Sequence, residues 1–227
     1  MRANIFYQKL RSLPTYKIDI KNIRTPFGEP FDDNNHWVKT LREMDAGIIK
    51  FDQSSLYKFH KNFQPISIQD TISKYKQNID SKVLKESLYF SLGCYPWGRW
   101  TNRQGQDQWR LSTHCGPTDK SLIEKEWKNF INLYKKIRTE GFNYSKYGRP
   151  LGLIFINKDS KKFFIMLGGN HRAAIAFVLG MKYLKVRLLP REYLTSQVVK
   201  YSDIVDNLES KILFENLINE DFVNWDY

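Results

Sequence analysis

Two apolar runs followed by a glycine-rich turn most constrain the fold of this chain of 227 residues. The runs, residues 151–156 and 163–167, are joined by a short polar segment, and each has the length of a buried strand. The turn Gly168-Gly169-Asn170-His171-Arg172 follows directly and opens an apolar segment, residues 173–179, which Gly180 ends. The sequence therefore predicts a β-hairpin, a tight turn and a helix in succession.

Helix and strand patterns flank this segment on both sides. Upstream, residues 121–124 match a capping box, and apolar side chains recur every three or four positions from Ile123 to Ile137. This pattern predicts an amphipathic helix that ends at Gly141. Downstream, residues 183–189 predict a last strand, and near the start of the chain the alternation in residues 16–20 predicts a half-buried one.

The predicted elements divide the chain into a core and two flanking segments, and the fold class that they predict is α+β. Residues 96–190 are predicted to be the core, a small mixed sheet with helices. Residues 1–95 are predicted to be a long N-terminal extension that packs on the core, with a helix over 34–44 that ends near Gly47. Residues 191–227 are predicted to be a short helical C-terminal tail. Further helical pieces are predicted at residues 1–13, 70–76 and 80–90.

Composition limits the class of protein. A chain with 41% hydrophobic and 15% aromatic residues is too rich in large apolar side chains to be disordered. Its cysteines, Cys94 and Cys115, form no CxxC pair and no histidine cluster accompanies them, which argues against a zinc site and a disulfide framework. Because no apolar run approaches the roughly 20 residues that span a bilayer, and no signal segment begins the chain, we expect a cytoplasmic protein without a membrane partner.

The formal net charge of +12 has two interpretations. Summed positive charge attracts phosphates, which would fit a nucleic-acid partner. The basic residues are, however, scattered along the chain and form no block, as expected when an AT-rich genome biases codon use. The pattern favours a solvated, compositionally biased surface over a polyanion-binding face.

The glycine-rich turn is the strongest candidate binding site. Gly168 and Gly169 let the backbone approach a ligand closely, and the next residues expose unpaired N–H groups at a helix start. The helix dipole favours an anion there. Arg172 can contact phosphate oxygens bidentately, and His171 can donate one further hydrogen bond. The alternative is a plain strand-to-helix turn in which Asn170 caps the helix and Arg172 is solvated.

A wider pattern surrounds this turn. Its parts are, in order, Gly141-Phe142, the hairpin, the Gly-Gly-Asn-His-Arg-Ala-Ala turn, Leu179-Gly180 and Val-Arg-Leu-Leu-Pro at 186–190. The order of these parts resembles the ParB/sulfiredoxin superfamily. In that superfamily a similar turn contacts nucleotide phosphates. The resemblance implies that residues 168–172 bind ATP or ADP, with CTP as an alternative.

The branches of this superfamily differ in function. Sulfiredoxins carry their catalytic cysteine where this chain has Asn170, so sulfinic-acid repair is not expected. Chromosome-partitioning ParB proteins follow the core with a helix-turn-helix domain, which residues 191–227 are too short to form, so partition is not expected either. The resemblance to the ADP-dependent free serine kinases implies a nucleotide-dependent phosphotransferase that acts on a small hydroxylated metabolite, such as an amino acid or a sugar. The alternative is a ParB-like nucleotide-gated, DNA-associated binding protein or nuclease.

A kinase of this type needs phosphate clamps, Mg²⁺ and an acid or base near the acceptor hydroxyl. His114 and Asp119 are the candidate catalytic groups, with Asp119 also able to hold Mg²⁺ through water. Trp97, Arg110 and Thr113 are the candidate substrate contacts. The alternatives are that Asp119 only caps the following helix and that His114 only hydrogen-bonds within a loop.

Four aromatic residues precede the core helix and have two interpretations. They form either a substrate-binding wall or a hydrophobic mini-core under a long loop, and the mini-core is favoured. They are Tyr95, Trp97, Trp100 and Trp109.

Overall fold

A mixed β-sheet organises the part of the chain that the computed structural model describes, which is residues 14–25, 29–47, 50–63, 118–156, 160–188 and 198–200. Within these residues the sheet has six strands. They are β1 (Thr15–Asp19), β2 (Ile23–Arg24), β3 (Leu151–Ile156), β4 (Lys162–Gly168), β5 (Tyr183–Leu188) and β6 (Val198–Lys200).

Five α-helices accompany the sheet in the described residues, together with two short 3-10 helices, Ile20–Asn22 and Phe51–Gln53. The α-helices are α1 (His36–Asp45), α2 (Ser55–Asn62), α3 (Lys120–Glu140), α4 (Tyr144–Tyr147) and α5 (Asn170–Val178). Three of them begin at a side chain that accepts hydrogen bonds from the first free backbone N–H groups, which fixes where each helix starts. These capping side chains belong to Asn35 for α1, Ser54 for α2 and Asn143 for α4.

The strand order is β1-β5-β3-β4-β2, and β6 also pairs with β3. Strands β3 and β4 form the predicted antiparallel hairpin, and β1 pairs antiparallel to β5. The other contacts are parallel: β2 with β4, β5 with the start of β3, and β6 with the end of β3. The N-terminal strands thus lie on both sides of the hairpin, with β1 reaching it through β5. The glycine-rich turn follows at the end of β4.

Helices α1, α3 and α5 enclose one hydrophobic core with the sheet. Residues Ala173–Ala176 of α5 are buried, and their mostly small side chains let this helix pack closely. From α3, Phe130, Tyr134 and Ile137 enter the same cluster, in which the first and last are fully buried. Fully burying such a side chain stabilises a fold by about 1.5–3 kcal/mol. The apolar spacing of α3 predicted a helix with one buried face, and that face packs into this core.

The local predictions agree with most of the described elements. The strand near Tyr16, the hairpin, the helix after the turn and the strand from Tyr183 are confirmed. The capping box at residues 121–124 is wrong, because α3 begins at Lys120 with Asp119 at its N-cap, which places Ser121 inside the first turn. The helices predicted at 1–13, 70–76 and 80–90 lie outside the described residues.

The flanking segments take part in the sheet. The boundary predicted at residue 95 lies outside the described residues, but the described part of the N-terminal segment supplies β1 and β2 as well as packing on the core. In the C-terminal tail, Val198–Lys200 is a strand paired with β3, which corrects the prediction of helix at these positions. Three residues beside an open strand edge gain ladder hydrogen bonds that a sequence pattern does not reveal. Among the described residues, no helix has the length and apolar character needed to cross a membrane.

Candidate functional site

The turn between β4 and α5 has the backbone geometry of an anion site. Gly169 lies at φ 103° and ψ 21°, in the left-handed region, and acts as the N-cap of α5. Its carbonyl accepts hydrogen bonds from the N–H groups of Arg172, at 2.9 Å, and Ala173, at 3.1 Å. No acceptor among the described residues takes the N–H of Gly169 or Asn170. These two amides stand at the positive end of the helix dipole, where an anion is favoured.

Asn170 is the first residue of α5 and does not cap it, so the alternative that Asn170 is the N-cap is wrong. Its side chain is only 6% exposed. The side-chain oxygen Oδ1 is buried and has no hydrogen-bond partner among the described residues. An unsatisfied buried acceptor costs about 1–3 kcal/mol, so a donor from a ligand or a water molecule at this position would be stabilising.

Arg172 lies under the turn, half-buried. Its Nη1 donates to the carbonyl oxygen of Tyr147 at 2.8 Å. A Cβ atom at Gly148 would lie 3.0 Å from Nη1, and one at Gly169 would lie 2.9 Å from Nη2. Both glycines have positive φ, and both leave the room that the guanidinium occupies. Burial lowers the pKa of Arg172, and no carboxylate in the described part of the chain pairs with it.

His171 faces helix α3. Its Nε2 lies 3.3 Å from Oε1 of Glu126, and both side chains are half-buried. The imidazole stacks on Phe130, with ring centroids 4.5 Å apart, and meets the edge of Trp37 at 6.1 Å. Burial raises the pKa of Glu126. A contact between His171 and a phosphate therefore stays a prediction, and the contact that the structure shows is a carboxylate–imidazole pair beside the turn.

The structure brings some of the predicted site residues together. Residues 168–172 form one turn, as predicted, whereas Asp119 is exposed at the N-cap of α3 and its side chain makes no capping hydrogen bond. Seven residues separate Asp119 from Glu126, which corresponds to about 10 Å along the helix. The remaining predicted residues lie outside the described residues. They are Trp97, Arg110, Thr113 and His114, together with Tyr95, Trp100, Trp109 and both cysteines.

Two contributors to the site were missed at the level of sequence. Glu126 comes three residues after Ile123 and four before Phe130, both buried, so helical spacing places this carboxylate beside the apolar stripe of α3. That position was a usable signal for a half-buried acid. Tyr147 contributes its backbone carbonyl, and a backbone contact has no signature in residue type.

Comparisons with family models, curated proteins and solved structures gave no significant match to this chain. In the described residues, no group of three or more histidine, cysteine, aspartate or glutamate side chains is placed to hold a metal ion.

Proposed function

We propose that the turn at Gly169, Asn170 and Arg172 binds the phosphates of a nucleotide, and that the chain is a nucleotide-dependent phosphotransferase of the ParB/sulfiredoxin-like type. Its substrate would be a small hydroxylated metabolite, such as an amino acid or a sugar. The observation that carries the proposal is the half-buried Arg172 guanidinium, which has no carboxylate partner in the described part of the chain and lies beside two unpaired amides.

A partly buried charge without a counter-ion is costly, because it loses hydration and gains no attraction in return. A bound phosphate would supply the missing charge and would accept hydrogen bonds from Arg172 and from the amides of Gly169 and Asn170. The buried Oδ1 of Asn170 needs a donor, which a hydroxyl of the nucleotide or of the acceptor could provide. The turn therefore suits a ligand that carries both phosphate and hydroxyl groups.

The pair formed by Glu126 and His171 supports phosphoryl transfer rather than binding alone. Phosphoryl transfer to a hydroxyl requires that the oxygen attack phosphorus, that the bond to the leaving phosphate oxygen break, and that the hydroxyl proton move to a base. An imidazole held by a carboxylate is a common proton acceptor. Mg²⁺ would neutralise charge on the nucleotide, and Asp119 is the candidate side chain to hold it through water.

Calorimetry with ATP, ADP and CTP in the presence of Mg²⁺ tests the phosphate assignment. Because a hydrogen bond to a charged group contributes about 1.5–3 kcal/mol, Arg172→Ala should weaken nucleotide binding by roughly ten- to a hundredfold. Arg42→Ala is the matched control, since Arg42 is exposed and forms only a surface ion pair with Asp33. Equal affinity of the Arg172→Ala variant and the unaltered protein would refute the phosphate clamp.

Turnover is tested separately. Pure protein is incubated with each nucleotide, Mg²⁺ and a pooled metabolite extract, and new phosphorylated species are sought by mass spectrometry. A phosphorylated metabolite that depends on Arg172 would support the kinase. Nucleotide binding without such a product, together with cleavage of supercoiled DNA or tight binding of duplex DNA, would instead support the nucleotide-gated DNA-associated protein or nuclease.

A further inference from the structure

One face of the β1–β5 ladder is open and carries more cations than acids, with Lys17, Lys185 and Arg187 on the same face as Asp19. Strand β5 alternates, with Tyr183 and Lys185 exposed and Leu184 buried in the core. Across the ladder, Lys17 lies directly opposite Lys185. Opposed residues in an antiparallel pair have Cβ atoms roughly 5 Å apart, and like charges at that distance repel each other. The lysine pair is therefore unfavourable on this surface, where an acidic residue at either position would be stabilising.

Two tyrosine rings on this face are each flanked by two cations. Lys17 Nζ lies 4.2 Å and Lys182 Nζ 5.3 Å from the ring centre of Tyr183. Arg149 Cζ lies 5.7 Å and Lys185 Nζ 5.5 Å from the ring centre of Tyr144. The backbone N–H of Lys185 donates to the Tyr144 hydroxyl at 3.0 Å, which ties helix α4 to the free side of β5. Strands β1 and β5 and helix α4 therefore present one continuous surface.

Four cations of this surface form no ion pair with a carboxylate in the described part of the chain. They are Lys17, Arg149, Lys182 and Lys185. Some exposed cations on α3 do form such pairs, as Lys128 does with Glu124 at 2.7 Å and Arg138 with Asp45 at 2.6 Å. Unpaired cations gathered around aromatic rings are the surface chemistry that proteins use to follow a sugar–phosphate backbone.

We propose that this β1–β5 face, made of Lys17, Tyr144, Arg149, Lys182, Tyr183 and Lys185, binds single-stranded nucleic acid. The cations attract successive phosphates, and the Tyr183 ring, 37% exposed, offers a flat surface for a base. Rows on the ladder repeat every two residues, roughly 7 Å, which suits an extended strand. An unpaired strand is favoured over a duplex because its bases are free to stack. This surface adjoins the turn at Gly169 through residues 147–150. Its residues Lys17, Lys182, Tyr183 and Lys185 form no hydrogen bond, ion pair or ring contact with the described residues of the turn, and the assignment does not rest on the proposed function.

Fluorescence anisotropy of a labelled oligothymidylate with the full chain tests the proposal. Lys185→Glu should weaken binding at least tenfold at low salt and reduce the slope of log affinity against log salt by about one. The same change places opposite charges across from each other at Lys17, so the variant should be at least as stable as the unaltered protein. Lys58→Glu, an exposed change of equal charge on α2, is the matched control and should weaken binding much less.

A second variant tests the aromatic contribution. Tyr183→Ala should weaken oligonucleotide binding roughly five- to a hundredfold, whereas Tyr183→Phe, which keeps the ring, should retain most of the affinity. Equal losses for Lys185→Glu and Lys58→Glu would overturn the proposal, since they would indicate attraction by net charge alone. A preference for duplex over single strand would also overturn it. The ATP affinity of Lys185→Glu, measured in parallel, should be unchanged, so failure of one assignment is distinguishable from failure of the other.

Discussion

Replacing Gly169 by alanine tests the geometry of the turn directly. At φ 103° an L-residue is strained, and the left-handed region costs roughly 1–2 kcal/mol. The added Cβ would also lie 3.0 Å from Cβ and 3.1 Å from Cα of Pro150, and 2.9 Å from Arg172 Nη2. The Pro150 backbone cannot move away cheaply, and overpacking of this kind costs about 1–3 kcal/mol. The two terms together predict that Gly169→Ala lowers the free energy of unfolding by about 2–5 kcal/mol.

Gly180→Ala separates the two terms. Gly180 also has positive φ, at 70°, but a Cβ there would meet no heavy atom within 4 Å. Only the backbone cost of roughly 1–2 kcal/mol should then appear. Urea unfolding followed by circular dichroism, analysed with a common slope, gives both free energies. If the two variants lose the same stability, the close packing of Gly169 against Pro150 and Arg172 is refuted.

Two further variants test the titratable groups near the core. Burial raises the pKa of Glu126 above its usual 4.5, so the stability that its neutral form contributes is present below pH 4.5 and is lost as pH rises through the folded pKa. Glu126→Gln should therefore unfold at the same or a higher temperature at pH 8. Glu124→Gln, which removes a half-buried carboxylate that pairs with Lys128 on the same helix, is the control. The pKa of Tyr134 is raised to about 12, first by burial and then by its hydrogen bond to Asp45 at 2.7 Å. Tyr134→Phe should cost about 1 kcal/mol at pH 8, and it should remove part of the loss of stability that the unaltered protein shows between pH 10 and 12 in thermal unfolding.

Local patterns predicted the elements that are long and periodic. The stripe from Ile123 to Ile137 sets α3, and the apolar runs around residues 151–167 set the hairpin, because burial of one face decides each of them. Strands β2 and β6 were not predicted from the sequence. They span two and three residues and pair in parallel with β4 and β3, so their hydrogen bonds depend on distant neighbours and not on a repeating pattern.

The candidate site was predictable to a similar degree. The sequence places two glycines and an arginine at a strand-to-helix turn, and the structure has that turn. It does not indicate that His171 faces Glu126, because that contact depends on how α3 crosses α5. Nor does it indicate that Arg172 is held by the carbonyl of Tyr147, since any residue there could supply that oxygen.

The pairing of β1 with β5 has a consequence for biosynthesis. Asp19 lies opposite Tyr183, so β1 leaves the ribosome long before its partner has been translated. At about 5–20 residues per second, the delay is roughly ten to thirty seconds. During that interval β1 cannot complete its ladder, and pairing of such distant segments is intrinsically slow. Strand β1 is thus the first of the described strands to be made, but its partner is translated later than β4, the partner of β2.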